Sequence, residues 1–175
     1  MKYKILIVDD EPANLRVLER LFRDEHEVLT AASGAEALAA LENHDVALLI
    51  SDQRMPEMSG IELVGRTVSL RPHMVRILLT GYTDVSSLIE AINCGHVYKY
   101  VTKPWNNEDL VITISRALAH YEAMKSLHNL GMVNNRLRAR LNEIAELATT
   151  NGELLPESRL NAVVRERQLD MIPPN

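Results

Sequence analysis

Two rhythms alternate along the first part of this chain. Lys4-Ile5-Leu6-Ile7-Val8 is a short apolar run, and after it Leu15, Val17, Leu18, Leu21 and Phe22 recur at helical spacing behind Pro12. Proline is well placed at a helix start, where its missing N–H costs nothing. The same exchange repeats. Strands are predicted over about 3–8, 28–31, 46–51, 75–79 and 97–101, separated by helices. Ser33 with Glu36 three residues on predicts a capping box for the second helix, which then uses Ala37, Leu38 and Leu41. A loop over 55–60 leads into a third helix through Ile61, Leu63 and Val64. A fourth is predicted over about 84–93, with Gly95 ending it, and a fifth begins near Asn106. Short apolar runs between helices predict parallel strands buried on both faces. Five of each in alternation predict an α/β fold with a doubly wound parallel sheet.

Past Asn106 the helical pattern runs on beyond the length a compact domain needs. Leu127, Leu130, Asn134, Leu137, Leu141, Ile144 and Ala148 are spaced alternately three and four apart, which is a heptad seam with Asn134 at an a position. A buried asparagine there fixes register and favours a parallel pair. A single amphipathic helix lying back on its own domain is the plainer alternative. Gly131 interrupts only about three heptads, so the coil would be marginal alone and would need a second dimer contact. The expected organisation is a first domain over 1–123, a helical coiled-coil linker over 124–149 and a tail of unassigned role over 150–175.

Composition narrows the function classes. The 175 residues leave room for one ordinary domain plus an extension. A net charge of −5 argues against a whole-chain affinity for nucleic acid. Arg136, Arg138 and Arg140 read as the solvated face of a helix, so no direct nucleic-acid binding is expected. A single cysteine, Cys94, excludes an intramolecular disulfide and fits a reducing compartment. No apolar stretch approaches membrane-spanning length and no signal-peptide pattern opens the chain, so a cytoplasmic protein without a membrane partner is expected. No Gly-rich phosphate loop or nucleophile elbow is present. Glu36-Ala37-Leu38 and His44-Asp45 echo cyclic-dinucleotide phosphodiesterase motifs but fall inside the first domain's own elements.

The chemistry sits where the strands end. The first strand runs into Asp9-Asp10, the third into Asp52, the fourth into Thr80-Gly81 and the fifth into Lys103-Pro104. Parallel sheets bind ligands at the carboxyl ends of their strands, so three carboxylates and a lysine converge in one crevice. That set suits a hard divalent cation beside a phosphoryl group. Singly, each residue has a plainer role: the Asp pair as a helix cap, Asp52 as a turn residue, Thr80 as a back-bonding hydroxyl, Lys103 as a solvated charge. Jointly, such unrelated roles would not reproduce the set.

Asp9-Asp10, Asp52, Thr80 and Lys103-Pro104, at these spacings, resemble the receiver domain of bacterial response regulators over about 1–123. The resemblance implies a flavodoxin-like sheet of order 2-1-3-4-5 and phosphorylation of Asp52 by a partner histidine kinase or a small phosphodonor. It implies Mg²⁺ held by Asp10 and Asp52 directly, by Asp9 through water and by the main-chain carbonyl of Arg54. Lys103 would pair with Asp52 and then with a phosphoryl oxygen, Thr80 would donate its hydroxyl to another, and small Gly81 would leave space. The resemblance also implies a cis bond at Pro104 and a switch in which Tyr100 turns inward behind Thr80. That switch would change the face formed by the helix of 84–93, the last strand and the last helix. Arg54 and Tyr82 lie near enough to tune water access, and Trp105 either covers the loop or is an ordinary half-buried aromatic.

Similarity to the receiver-plus-linker part of larger regulators implies an output domain beyond this chain. It also implies a homodimer through the C-terminal helix, and no catalysis beyond the protein's own phosphorylation and dephosphorylation. Two other classes compete. Mg²⁺-dependent phosphotransferases or phosphatases with an aspartyl intermediate usually carry a second aspartate two residues after the nucleophile, where this chain has Arg54. A non-phosphorylated dimeric adaptor of receiver shape would usually have lost an acidic or lysine site residue, and none is missing.

Overall fold

The computed structural model describes residues 2–81 and 96–150, with side chains as far as 145. The expected helix over 84–93 with its Gly95 stop, Tyr82, Cys94 and the tail beyond 150 lie outside them. Nine elements follow in order: β1 (Lys4–Val8), α1 (Pro12–Phe22), β2 (Glu27–Ala31), α2 (Gly34–Asn43), β3 (Leu48–Asp52), α3 (Gly60–Leu70), β4 (Val75–Thr80), β5 (Lys99–Thr102) and α4 (Asn107–Thr150). The strands form one parallel sheet in the order β2-β1-β3-β4-β5. This is the doubly wound, flavodoxin-like sheet, with its switch point between neighbours β1 and β3.

Alternation along the strands feeds two cores. Ile5, Ile7, Leu48, Ile50, Ile77 and Leu79 meet Leu18 and Phe22 of α1 and Leu110, Ile114 and Leu118 of α4. Leu6, Val8, Leu49 and Leu78 meet Leu41 of α2 and Leu63 and Val64 of α3. Both faces are therefore dry, which is why these strands read as unbroken apolar runs rather than as alternating ones. Each buried Leu or Ile contributes about 1.5–3 kcal/mol, and together they hold the strand ends in fixed register.

The helix starts follow local chemistry. Pro12 is at the first position of α1. Ser33 accepts from Glu36 N, but the Glu36 carboxylate takes Ala32 N, one residue short of the expected reciprocal box. The complete capping box lies at α3, between Ser59 and Glu62. Asn106 Oδ1 accepts from Glu108 N and Asp109 N at the start of α4, and those two acids suit the positive end of the helix dipole.

The chain divides into two compact units, Met1–Ser126 and Leu127–Asn175. In the second, α4 continues through Gly131, a position costing about 1 kcal/mol in a helix interior. Leu127, Leu130, Leu137 and Leu141 of the expected seam are exposed, as is Asn134, while Ile144 is partly covered.

Candidate functional site

Four strand ends meet around a cavity of about 230 Å³ bordered by Asp9, Asp10, Asp52, Arg54, Thr80, Gly81 and Lys103. Asp9 follows β1, Asp52 closes β3, Thr80 closes β4 and Lys103 follows β5. Asp52 is still in the sheet, its register partner being Leu79. The Lys103 N–H donates to the Thr80 carbonyl at 2.7 Å, tying the β5 exit to the end of β4. The Lys103–Pro104 peptide bond is cis.

Lys103 is the hub. Its ammonium lies 2.9 Å from Asp9 Oδ2 and is paired with Asp52 Oδ1. Both carboxylates are buried, with Asp9 1% and Asp52 6% exposed. Their other oxygens are also occupied. Asp9 Oδ1 accepts from Glu11 N at 2.9 Å and from Asn14 Nδ2 at 3.1 Å, and Asp52 Oδ2 accepts from Arg54 N at 2.8 Å. Burial pulls the Lys103 pKa down, but hydrogen bonds to Asp52 and Asp9 and their negative charges outweigh it and leave the pKa raised. Thr80 is buried, and its hydroxyl donates to the Gly81 carbonyl at 3.1 Å. A Cβ at Gly81 would meet no heavy atom of the described residues within 4 Å.

The three expected carboxylates and Lys103 all border this cavity, but the carboxylates are not equivalently placed. Asp10 borders the cavity but is exposed, and among the described residues no three Asp, Glu, His or Cys side chains gather closely enough to hold a metal. Successive side chains leaving a strand point to opposite sides, so burying Asp9 turns Asp10 outward. Mg²⁺ itself needs only one or two carboxylates beside water. Asp9 and Asp52 already share one cation, the Lys103 ammonium, so the donor set fits a hard divalent ion. Tyr100 is 38% exposed, and Trp105 is half-buried against the α1 and α4 core.

Three supporting residues were not singled out in the sequence. Asn14 holds both oxygens of Asp9 at 3.1 Å. Gln53 pins the loop into α3, its carbonyl accepting from Gly60 N and its side chain from Ile61 N. Gly60 lies against the Asp52 turn, where a Cβ would sit 2.3 Å from the Asp52 carbonyl oxygen, 2.8 Å from Leu78 Cδ2 and 3.0 Å from Gln53 Cα. Ser59-Gly60-Ile61-Glu62 carried a legible cap signal, whereas nothing in one sequence marks Asn14.

Gly60→Ala is therefore expected to push the Asp52 turn outward, because backbone atoms cannot swing aside. Overpacking of this kind costs about 1–3 kcal/mol, and a displacement near 1 Å lowers a positioned reaction by about a hundredfold. Denaturant unfolding and the rate of labelling by acetyl phosphate check both, with Gly65→Ala as control, since a Cβ there meets nothing within 4 Å. Equal behaviour of the two variants would show that the Asp52 turn tolerates the added methyl.

Comparison with known proteins agrees with this geometry. The family model described as the response regulator receiver domain matches residues 5–115. The chain is 35% identical over 128 residues to the hydrogenase transcriptional regulatory protein HoxA of Bradyrhizobium diazoefficiens, covering 73% of this chain and 26% of that protein. It is 31% identical over 160 residues to the transcriptional regulatory protein ZraR of Klebsiella oxytoca, covering 86% and 36%. A solved CheY-like response regulator receiver domain protein from Methanospirillum hungatei superposes with a TM-score of 0.67 at 34% identity, covering 71% of this chain and 99% of that one. The chain thus spans about a quarter to a third of the length of these curated relatives.

Proposed function

Because the chain belongs to the receiver-domain family of response regulators, we propose that it takes a phosphoryl group onto Asp52 from a partner histidine kinase. The observation that carries this is the buried Asp52 carboxylate, paired with Lys103 at the mouth of an open cavity. A carboxylate oxygen attacks phosphorus as the donor's P–N or P–O bond breaks, giving an acyl phosphate. Arg54 N and Lys103 hold Asp52 in place for that attack, while Asn14 and Glu11 N hold Asp9. Lys103 then offers its ammonium, and Thr80 its hydroxyl, to the new oxygens. Mg²⁺ held by Asp52 and Asp10, by Asp9 through water and by the Arg54 carbonyl would supply the charge neutralisation the incoming group needs. The chemistry assigned to this site is its own phosphorylation and dephosphorylation.

The expected result of incubating the chain with acetyl phosphate is a base-labile acyl phosphate confined to Asp52 that forms with Mg²⁺ and not with a chelator. Labelling elsewhere, or labelling indifferent to the chelator, would overturn the assignment of Asp52 or of the metal.

The second part of the proposal concerns the output. Phosphorylation would draw Thr80 toward the phosphoryl group, let Tyr100 move inward and alter the face around β5, which in turn would change pairing of the C-terminal helix with a second copy. The exposed leucines at 127, 130, 137 and 141, with Asn134 between them, support a second copy as the occupant of that seam. In sedimentation with Mg²⁺ and beryllofluoride the chain is expected to run as a dimer, and a Leu137→Glu variant as a monomer. A wild-type monomer with beryllofluoride bound would defeat the seam. An output domain beyond these 175 residues would read the change.

A further inference from the structure

A second cavity, of about 160 Å³, lies at the opposite end of the sheet from Asp52, beside the start of β4. Its lining includes His73, Arg76, His96, Tyr98, His120 and Met124, with no Asp or Glu among the described residues. In a chain of net charge −5 an acid-free cavity beside a buried cation is unexpected. Arg76 is only 5% exposed and no carboxylate partners it among the described residues. Its Nε donates to Thr67 Oγ1 at 2.8 Å, Nη1 to the Met74 carbonyl at 2.7 Å, and Nη2 to the Thr67 and Arg71 carbonyls at 2.8 and 2.6 Å. These bonds engage both hydrogens of Nη2, the one on Nε and one of the pair on Nη1. The remaining Nη1 hydrogen has no acceptor among the described residues.

Burial lowers the Arg76 pKa to about 10, so the guanidinium remains a cation at neutral pH. Buried charges are ordinarily paired, and the carbonyls at the carboxyl end of α3 answer this one only with partial charges. Among the described residues, one N–H of Arg76 is left without an acceptor and its charge without a carboxylate, and Arg76 lines the cavity. We propose that this cavity binds a small oxyanion, with the remaining Arg76 N–H as its principal donor and His96 and His120 as further donors. Size sets the class of ligand. Pockets for drug-sized molecules run to roughly 300–1,000 Å³, so this one suits an ion near the size of phosphate or a short carboxylate. Tyr98 and His120, whose ring centroids are 5.2 Å apart, form an aromatic wall beside it.

The test is titration of inorganic phosphate into the full chain at constant ionic strength, followed by NMR through the His120 and Tyr98 ring resonances. Those probes are remote from Asp52, so failure here leaves the phosphorylation reading untouched. Saturable shifts are expected, absent when chloride replaces phosphate. Affinity should fall about fivefold in His120→Gln, the loss of one hydrogen bond, and as much or more in Arg76→Lys, which keeps the charge but not the fork. Acetate run in parallel shows whether carboxylates are accepted too, and saturation by either anion supports the site. Shifts that never saturate, an equal response to chloride, or unchanged affinity in both variants would overturn it and leave Arg76 as a cap for α3 alone.

Discussion

Asp52→Asn is expected to reduce phosphoryl uptake to background while leaving the fold almost intact. The two effects separate because of how the cation is shared. Lys103 reaches Asp9 at 2.9 Å as well as Asp52, so neutralising Asp52 still leaves the ammonium with a buried partner. The asparagine carbonyl also remains able to accept from Arg54 N, which bonds Asp52 Oδ2 at 2.8 Å. The bond from Arg54 N becomes a neutral one, a change of about 1 kcal/mol, and the ion pair of Lys103 with Asp52 is lost, a loss softened because Asp9 keeps the ammonium paired. Labelling with acetyl phosphate and a urea melt read the two halves independently. A variant that labelled normally would remove Asp52 from the mechanism. One that lost several kcal/mol would mean that Asp52, and not Asp9, is the main counter-charge for Lys103.

Lys103→Met should do the reverse damage and be the most destabilising single change at the site. It leaves two buried carboxylates facing one cavity without their cation. Breaking a buried pair from one side costs about 3–5 kcal/mol, and because Lys103 is itself partly exposed the lower end applies, about 3 kcal/mol. For a domain of this size that is a fall in Tm of roughly 10 °C. The pH dependence has a definite sign. Lys103 has a raised pKa in the folded state, so its contribution is complete below the unfolded lysine value of about 10.4 and is lost as pH rises through the folded value. The gap between wild type and variant should therefore be flat through neutral pH and close only in strong alkali. Mg²⁺ should raise the Tm of the variant by more than that of the wild type, since the vacated carboxylates then have no competing ammonium. Equal Mg²⁺ shifts in a thermal melt would show that the metal and Lys103 do not answer the same charges.

Much of this was readable along the chain, for a physical reason. A parallel strand dry on both sides is largely apolar, so each strand announces itself as a run, and the polar residues where that run ends mark the ligand end. Asp9, Asp52, Thr80 and Lys103 were found in that way, and the sheet brings all four to one cavity. Run lengths were less reliable. Val46 and Ala47 are buried and apolar, yet β3 begins at Leu48 and extends to Asp52, because burial and ladder pairing end at different residues. Asp9 and Asp10 follow the same strand, and the burial of one and exposure of the other come from the direction in which the chain leaves the sheet. Gly60 was visible only as a loop residue, since its constraint is a contact with Asp52, eight positions back. Arg76 shows the limit most plainly: its guanidinium is held by the Thr67 hydroxyl and by the carbonyls of Thr67, Arg71 and Met74, and carbonyls leave no trace in a sequence.

The way β4 is held has a consequence for how fast, and how finely, such a site can respond. The strand is hydrogen-bonded along both edges, to β3 and to β5, and on one side of it Arg76, Leu78 and Thr80 follow in alternation. Arg76 is fastened to α3, and Leu78 is in the core between them. Sliding β4 by even one position would break two ladders and reverse both cores. The hydroxyl of Thr80 can therefore leave the Gly81 carbonyl only by turning about its own χ1. A β-branched side chain has few allowed wells there, and motion between such wells is a jump. A response at this residue would consequently be digital: a hydroxyl in one well or another, on a strand held in register by its two neighbours.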